Sequence, residues 1–302
     1  MAISRSQLVK ELEPGLNALF GLEYKRYENQ HAEIYTAENS DRAFEEEVML
    51  SGFANAQVKA EGAGISFDEA QETFTARYTH ETVALAFAIT EEAIEDNLYD
   101  RLASRYTKAL ARSMSNAKQV KAVEPLINGL PNGSFNTGDG VTLFNASHPT
   151  VAGTFSNTLA TAADLNETSL EQSMIDIAAM TDERGLRVAA RGVKMIIPSE
   201  LQFTAERLMK SQGRTGTADN DINAIVSMGM VPQGYRVNNY LTDTDAFYIL
   251  TDVPNGMKMF NRAPLTTAME GDFDTGNVRY KARERYSFGV SDPRGIFASP
   301  GA

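Results

Sequence analysis

The sequence contains no cysteine. Disulfides, thiolate zinc sites and cysteine nucleophiles are excluded, and any unusual stability has to be non-covalent or rest on another cross-link. Histidine is scarce too: His31, His80 and His148 are the whole supply. Ser147-His148 sets a hydroxyl beside an imidazole, but neighbours in an extended segment point apart and no G-x-S-x-G elbow exists, so nucleophilic catalysis has no support. His80 falls on the apolar side of a predicted strand and reads as a packed residue. The glycine cradle GxxxxGK[ST] of a phosphate loop is missing. Asp219, Asp221 and Asn223 have the spacing that opens a calcium loop, yet Ala224 stands where glycine is needed and Met230 where the bidentate Glu belongs, which leaves an Asx-rich turn. The acid run Glu45, Glu46, Glu47 reads as a solvated face. The expectation is no enzyme: no catalytic, cofactor-binding or metal residue, and no cofactor.

Long apolar runs are absent as well. No stretch reaches the roughly 18 residues of a membrane span, and the start MAISRSQLVKELEPG has no apolar signal-peptide core, so neither insertion nor secretion by that route is expected. Positive charge is short in one region only. The net charge is −12 over 302 residues, and residues 1–100 hold 20 acids against 7 bases, whereas 101–302 hold 20 against 21. The amino-terminal third carries the whole excess, and generic nucleic-acid binding is not the first expectation.

What the chain does have is a long helical pattern. From Thr90 to Glu124, Ile94, Leu98, Leu102, Tyr106, Leu110 and Met114 recur at every fourth position, with Thr90 able to cap the start and no Gly or Pro before Pro125. Such a helix would run roughly 50 Å, and a four-residue line turns by ~40° per step on a 3.6-residue spiral, so several elements share one rod. Its acids (Glu91, Glu92, Glu95, Asp96, Asp100) precede its bases (Arg101, Arg105, Lys108, Arg112, Lys118, Lys121), as the macrodipole favours. That pattern is either a solvated face or one that meets a neighbouring subunit.

Residues 1–43 read as a mostly polar arm with a helical turn or two around Leu8, Leu12, Leu16 and Phe20, unable to bury itself alone. From Phe44 the period changes to two. Val48 and Leu50 alternate before a break, Phe74, Ala76, Tyr78 and His80 alternate after it, and KAEGAG (Lys59 to Gly64) is the expected turn. A lone hairpin of this kind is marginal in water, so it should rest on the body or on another molecule. After the long helix, FNTGDGVTLF (135–144) reads as a hairpin turning at Asp139-Gly140. Thr168-Ser169-Leu170-Glu171 reads as a capping box, and Ser199 with Gln202 as the cap of LQFTAERLMK. VKMIIP (193–198), YRV (235–237) and AFYIL (246–250) read as strands, and residues 150–252 as an α/β unit. In the closing RYKARERYSF, Val278, Tyr280, Ala282, Tyr286, Phe288 and Val290 share one side of a strand with the single intruder Glu284. Arg279, Lys281, Arg283 and Arg285 share the other. That row is either a solvated strand face or a charge surface for an acidic partner segment, which another copy of this chain could supply.

Arm, β excursion, long helix, α/β unit and returning strands, in that order, resemble the major capsid proteins of tailed bacteriophages with the Hong Kong 97-type fold. The strings ITEEAIEDNLYD, GDGVTLFNASHP, DIAAMTDERGLRVAAR, GTADNDINA and GDFDTGNVRYKARERYSFGVSDPRGIFASPGA carry the likeness over nearly the whole chain. The resemblance implies an α+β, Hong Kong 97-like capsid fold. Residues 1–43 would be the N-terminal arm and 44–85 an extended loop lying over a neighbour. Residues 86–149 and 253–302 would form a peripheral domain with spine helix 90–124, and 150–252 the axial domain. It implies a structural protein of the virion, assembled in the host bacterial cytoplasm into hexamers and pentamers of an icosahedral shell around double-stranded DNA. A separate scaffolding protein, a portal and a decoration protein would be its partners. The candidate subunit contacts are Lys59 and Glu61 in the loop and the row Arg279, Lys281, Arg283 and Arg285. Some members of that family cross-link through a loop lysine, and Lys59 is the one lysine of this loop, but nothing in the sequence marks the nearby acid such a bond needs. An encapsulin-like compartment shell is the alternative with the same fold, and a monomeric hydrolase or binding module the alternative of another class.

Overall fold

The computed structural model describes the chain apart from residues 1–4, 63, 91, 93–98, 214–220 and 273–275, and leaves aside the side chains of residues 5–13 and 99–102. Its first element is a 22-residue helix, α1 (Arg5–Arg26), where the sequence suggests only a turn or two. The line Leu16, Phe20, Tyr24 explains the difference, because it finds a partner inside the same chain. Leu16 and Phe20 are buried with Leu110, Ala111, Met114, Tyr280 and Ala282, and Phe20 stacks on Tyr24 at 6.0 Å. The segment that follows is anchored too. The Tyr35 hydroxyl donates to the Ala122 carbonyl at 2.7 Å, and the His31 backbone N–H donates to Gln119 Oε1 at 3.0 Å. Strand β1 (Thr36–Asn39) then runs parallel to residues 258–261 of β10 (Met257–Gly271). The expectation that the arm cannot bury itself is therefore corrected for its described part: from Leu16 to Asn39 it lies on its own subunit.

The long helix is α2 (Tyr99–Ile127). The start of the sequence pattern lies outside the described residues, as do the side chains of Ile94, Leu98 and Leu102. Within the described part the buried line is Ala103, Thr107, Leu110, Ala111, Met114, Gln119, Ala122, Val123 and Leu126, while Tyr106 is 48% exposed. A strict four-residue line drifts off a face that repeats every 3.6 residues, so Leu110 and Met114 stay in and Tyr106 falls out. α2 packs on α1 and on a four-stranded sheet, order β1-β10-β11-β4, with β4 at Glu81–Ile89 and β11 at Val278–Val290; Ala103 already lies with Ile89 and Tyr280 of the sheet.

A second four-stranded sheet has the order β12-β9-β7-β8. Strands β7 (Gly192–Ile197), β8 (Tyr235–Val237) and β9 (Phe247–Thr251) come from the α/β stretch. The edge strand β12 (Ile296–Ser299) comes from the carboxyl terminus, outside the 150–252 span read from the sequence. Packing explains the recruitment, since β12 has apolar residues for both faces: Phe297 joins Met195, Ile197, Phe247 and Ile249 in one core, and Ile296 and Ala298 join Ile196 and Tyr248 in the other. A sheet covered on both sides reads as an unbroken apolar run, which is how VKMIIP looks in the sequence. Helices α3 (Glu167–Ala179) and α4 (Gln202–Lys210) flank it. The start of α3 is set by Asn166 and Ser169, not by Thr168. The Ser169 N–H donates to Asn166 Oδ1 at 2.9 Å, and the Asn166 N–H donates to Ser169 Oγ at 3.0 Å. The cap expected from Ser199 is not made; a 3-10 turn over Ser199–Leu201 leads into α4.

His31 gives the fold an acid-sensitive joint. Its ring is buried against Phe288 at 5.9 Å, and among the described residues Nδ1 has no partner. Burial, helped by the nearby Lys118 charge and opposed by Gln119, lowers its pKa from 6.5 to about 4. The unfolded chain takes up the proton first, so stability is whole above pH ~6.5 and drains as pH falls towards ~4. His31→Phe keeps the ring contact and removes the titration. Denaturant melts across that window are expected to flatten in the variant; an unchanged slope would place the acid sensitivity elsewhere.

Candidate assembly surface

The hairpin expected from period-two alternation pairs β2 (Phe44–Leu50) with β3 (Glu72–Thr79) in antiparallel register. Its foot is clamped to the body. Ala76 and Tyr78 are buried with Phe260. The Tyr78 ring lies over Gly289, where a Cβ would come within 2.6 Å of it, and the Tyr78 hydroxyl meets Ser291 Oγ at 2.5 Å. Lys258, 7% exposed, reaches Glu47 at 2.5 Å and Glu38 at 3.2 Å, and Ser291 donates to the other oxygen of Glu47. Burial alone would push the Lys258 ammonium down; the two carboxylates more than offset it and hold the pKa above the ordinary value. Gly289→Ala is expected to drive Tyr78 off this seat at a cost of about 1–3 kcal/mol. Equal denaturation midpoints for variant and parent would show that the seat is not tight.

Beyond the foot, the two arms of the loop are tied once more. Asp68 Oδ2 accepts from the Ala54 N–H at 2.7 Å, and Arg184 reaches Asp68 Oδ1 at 3.2 Å. The Ala54 N–H, outweighing partial desolvation and helped by the Arg184 charge, lowers the Asp68 pKa. Further out the chain turns at Glu61-Gly62, within the stretch read as a turn, with Gly62 at φ +78° as a left-handed turn requires. Here the described residues leave apolar side chains largely uncovered: Phe53 is 61% exposed, Val58 99%, Ile65 73% and Phe67 97%. Burying each would yield about 1.5–3 kcal/mol.

The site residues named from the sequence fall into two separate groups. Lys59 and Glu61 are exposed in the loop and their side chains bond to no described residue. Arg279, Lys281, Arg283 and Arg285 share one face of β11, as the alternation implies, but they are not equivalent. Arg279 is paired with Asp272, Arg285 is half-buried with Nε unpartnered, and Lys281 and Arg283 are exposed with no acid beside them among the described residues. Ala84, Ala86 and Ala88 on β4 and Thr266 and Ala268 on β10 flank the row. Small neighbours leave those two cations standing above a flat sheet.

Several polar residues serve the fold instead. Glu284, the intruder on the apolar side of β11, is 2% exposed; it takes Lys118 at 3.3 Å and the Tyr24 hydroxyl at 3.4 Å. Burial raises its pKa despite Lys118. His148 is buried, with Nδ1 2.6 Å from Asp139 and Nε2 facing the Leu143 carbonyl and Asn157, so both ring nitrogens brace the 135–157 region. Desolvation of Asp139 is outweighed by that bond and one from Thr137, and its pKa is lowered. His80 is packed as expected, between Ser287 and Ser40, each at 3.0 Å. Arg294 is held by Glu183 at 2.7 Å and Asp292 at 3.2 Å, over the Phe155 ring at 4.2 Å. Sequence reasoning missed Arg294 and Lys258, whose carboxylate partners Glu183 and Glu47 are more than 100 residues away in sequence; Glu284 was signalled by its place in the alternation. Of the calcium-like spacing, Asp219 lies outside the described residues and Asn223 caps a short helix over Ala224–Ser227. Among the described residues no three His, Asp or Glu side chains converge as metal ligands, and no helix is long and apolar enough to cross a membrane.

Comparison with known proteins bears on this geometry. The family described as phage capsid protein matches residues 72–299. No curated protein matches the chain. Among solved structures, the capsid of the Myoviridae phage XM1 is 12% identical, with 89% of this chain and 90% of that chain covered and a TM-score of 0.55. A virus-like particle from Pyrococcus furiosus is 11% identical, with 94% and 97% covered and a TM-score of 0.53. The capsid of an empty GTA particle is 14% identical, with 88% and 87% covered and a TM-score of 0.52. At these identities the likeness fixes the fold, an α+β Hong Kong 97-like capsid architecture.

Proposed function

The chain belongs to the phage capsid protein family, and on that premise we propose that many copies of it, grouped as hexamers and pentamers, close into an icosahedral shell around packaged double-stranded DNA. In this reading it is the major capsid protein of a virion assembled in the host bacterial cytoplasm, with a separate scaffolding protein, a portal and a decoration protein as partners. Residues 44–85 are the extended loop, 86–149 and 253–302 the peripheral domain and 150–252 the axial domain, while the arm, 1–43, stays on its own subunit. The observation that carries the reading is the loop: clamped at its foot by Lys258 and Tyr78, yet presenting Val58 and Phe67 almost wholly to solvent. A rigid foot and an apolar tip suit an element covered by a sister copy. The acidic balance of residues 1–100 complements Lys281 and Arg283 on a neighbour, and Lys59 and Glu61 sit where the loop would make contact. An acidic subunit also leaves enclosed DNA free to move.

The likeness to a virus-like particle favours one second reading, an encapsulin-like shell around a protein cargo. Size-exclusion chromatography of the purified chain is expected to give megadalton particles, and nuclease-protected DNA in native particles is the expected content. Enclosed protein without DNA would support the compartment. A monomer under all conditions would overturn both. Lys281→Glu with Arg283→Glu is expected to leave the subunit folded and impair assembly; normal assembly would show that the row is not a contact.

A further inference from the structure

Strand β4 forms an outer edge of the first sheet, and among the described residues no group bonds to its free side. Protein sheets usually blunt such an edge with lysine, proline, a bulge or a covering loop. Among the described residues this one has none of these. From Thr82 to Ile89 it carries no charged residue, proline or glycine, and its pairing with β11 runs nine residues without a register shift. Its only charge, Glu81, is held by Lys121 at 2.8 Å. On the helix side of the edge lies an apolar shoulder, Leu85 at 46% and Tyr106 at 48% exposed.

We propose that β4 pairs antiparallel with β4 of a second copy about a two-fold axis normal to the sheet, joining the two sheets into one. This rests on the shell reading, in which two-folds normal to the wall relate neighbouring subunits. The edge is self-complementary as an isologous contact requires. With the axis at Leu85, each Leu85 faces its twin, Val83 faces Phe87, and Glu81 faces Ile89, so no like charges meet. The two cation rows then lie three strand spacings apart, about 14 Å. That exceeds the screening length of about 8 Å at physiological salt. Both shoulders come together on the helix side and are covered.

A chain without cysteine offers a direct test. Directly opposed residues of an antiparallel pair lie about 4.5–5.5 Å apart at Cα, within the range a disulfide spans. Leu85→Cys is expected to give covalent dimers on mild oxidation, read on a non-reducing gel. Ala88→Cys would place its two thiols about 20 Å apart along the ladder and is expected to stay monomeric on the gel. Should Leu85→Cys fold poorly, a mixture of Ala84→Cys and Ala86→Cys chains, both at exposed alanines, is expected to cross-link by the same register. Size-exclusion of the same samples before oxidation scores the shell separately. Particles with no cross-link at Leu85 or in the mixture, or with equal cross-linking at Leu85 and Ala88, would overturn the edge pairing and leave the shell standing. A monomer that never cross-links would overturn both.

Discussion

Lys118→Met is expected to destabilise the folded chain by about 3–5 kcal/mol, because it strands a buried carboxylate. Glu284 is 3% exposed at its side chain and Lys118 14%. With the ammonium gone, among the described residues one hydroxyl from Tyr24 remains as partner, and Glu284 Oε1 already has none. The pair joins α1, α2 and β11 at one point, so the loss falls on the joint between arm and body. The sign of the pH dependence follows from burial. Burial lifts the Glu284 pKa above its ordinary 4.5, and removing Lys118 lifts it further. Such a group contributes its stability below the unfolded pKa and loses it as pH rises through the folded one. The variant is therefore expected to be closest to the parent in acid and to fall behind as pH rises, measured by denaturant unfolding. Adding Glu284→Gln to Lys118→Met is expected to recover most of the loss near neutral pH. A single variant within 0.5 kcal/mol of the parent at every pH would show that the pair is solvated in solution.

Val58→Asp with Phe67→Asp is expected to do the reverse, leaving the subunit as stable as before while abolishing particles. Both side chains stand almost entirely in solvent, so an isolated subunit has nothing to lose, and substitutions at such sites usually stay within about 0.5 kcal/mol. An interface that buries them loses about 1.5–3 kcal/mol of apolar contact per residue and gains an unpaired charge besides. Repeated at every contact of a closed shell, that change is decisive. Particles of normal yield would mean that the tip is not covered. A fall in subunit stability would mean that the tip packs on its own body.

The two substitutions also mark what the sequence could and could not disclose. Period-two alternation was enough to find β2, β3 and β11, to place Glu284 among apolar neighbours and to range four cations on the opposite face. The turn at Glu61-Gly62 was legible from its glycines, and β7 from an apolar run. The arm was not. Leu16 and Phe20 make a short pattern whose meaning depends on Leu110, Met114 and Tyr280, roughly 90 to 260 residues further along, and no local rule sees that distance. Tyr106 was misplaced because a four-residue count replaced the true helical repeat. β12 has no local signal of its sheet: its residues fill the cores on both sides of the second sheet, and their partners lie about 50 to 100 residues earlier in the chain. In the candidate contact surface the row appeared as four equal cations; Asp272 beside Arg279 and the half-burial of Arg285 leave Lys281 and Arg283 as the exposed cations with no acid beside them among the described residues.

With the arm settled on its own subunit, the claim that remains central is that residues 53–67 find their surroundings on another copy. Electron cryomicroscopy of particles formed by the full-length chain measures this directly. The expected result is a closed shell in which Phe53, Val58, Ile65 and Phe67 lie against a neighbouring subunit. A shell whose loops stand free in solvent, or a solution holding only single chains with the loop folded back, would contradict it.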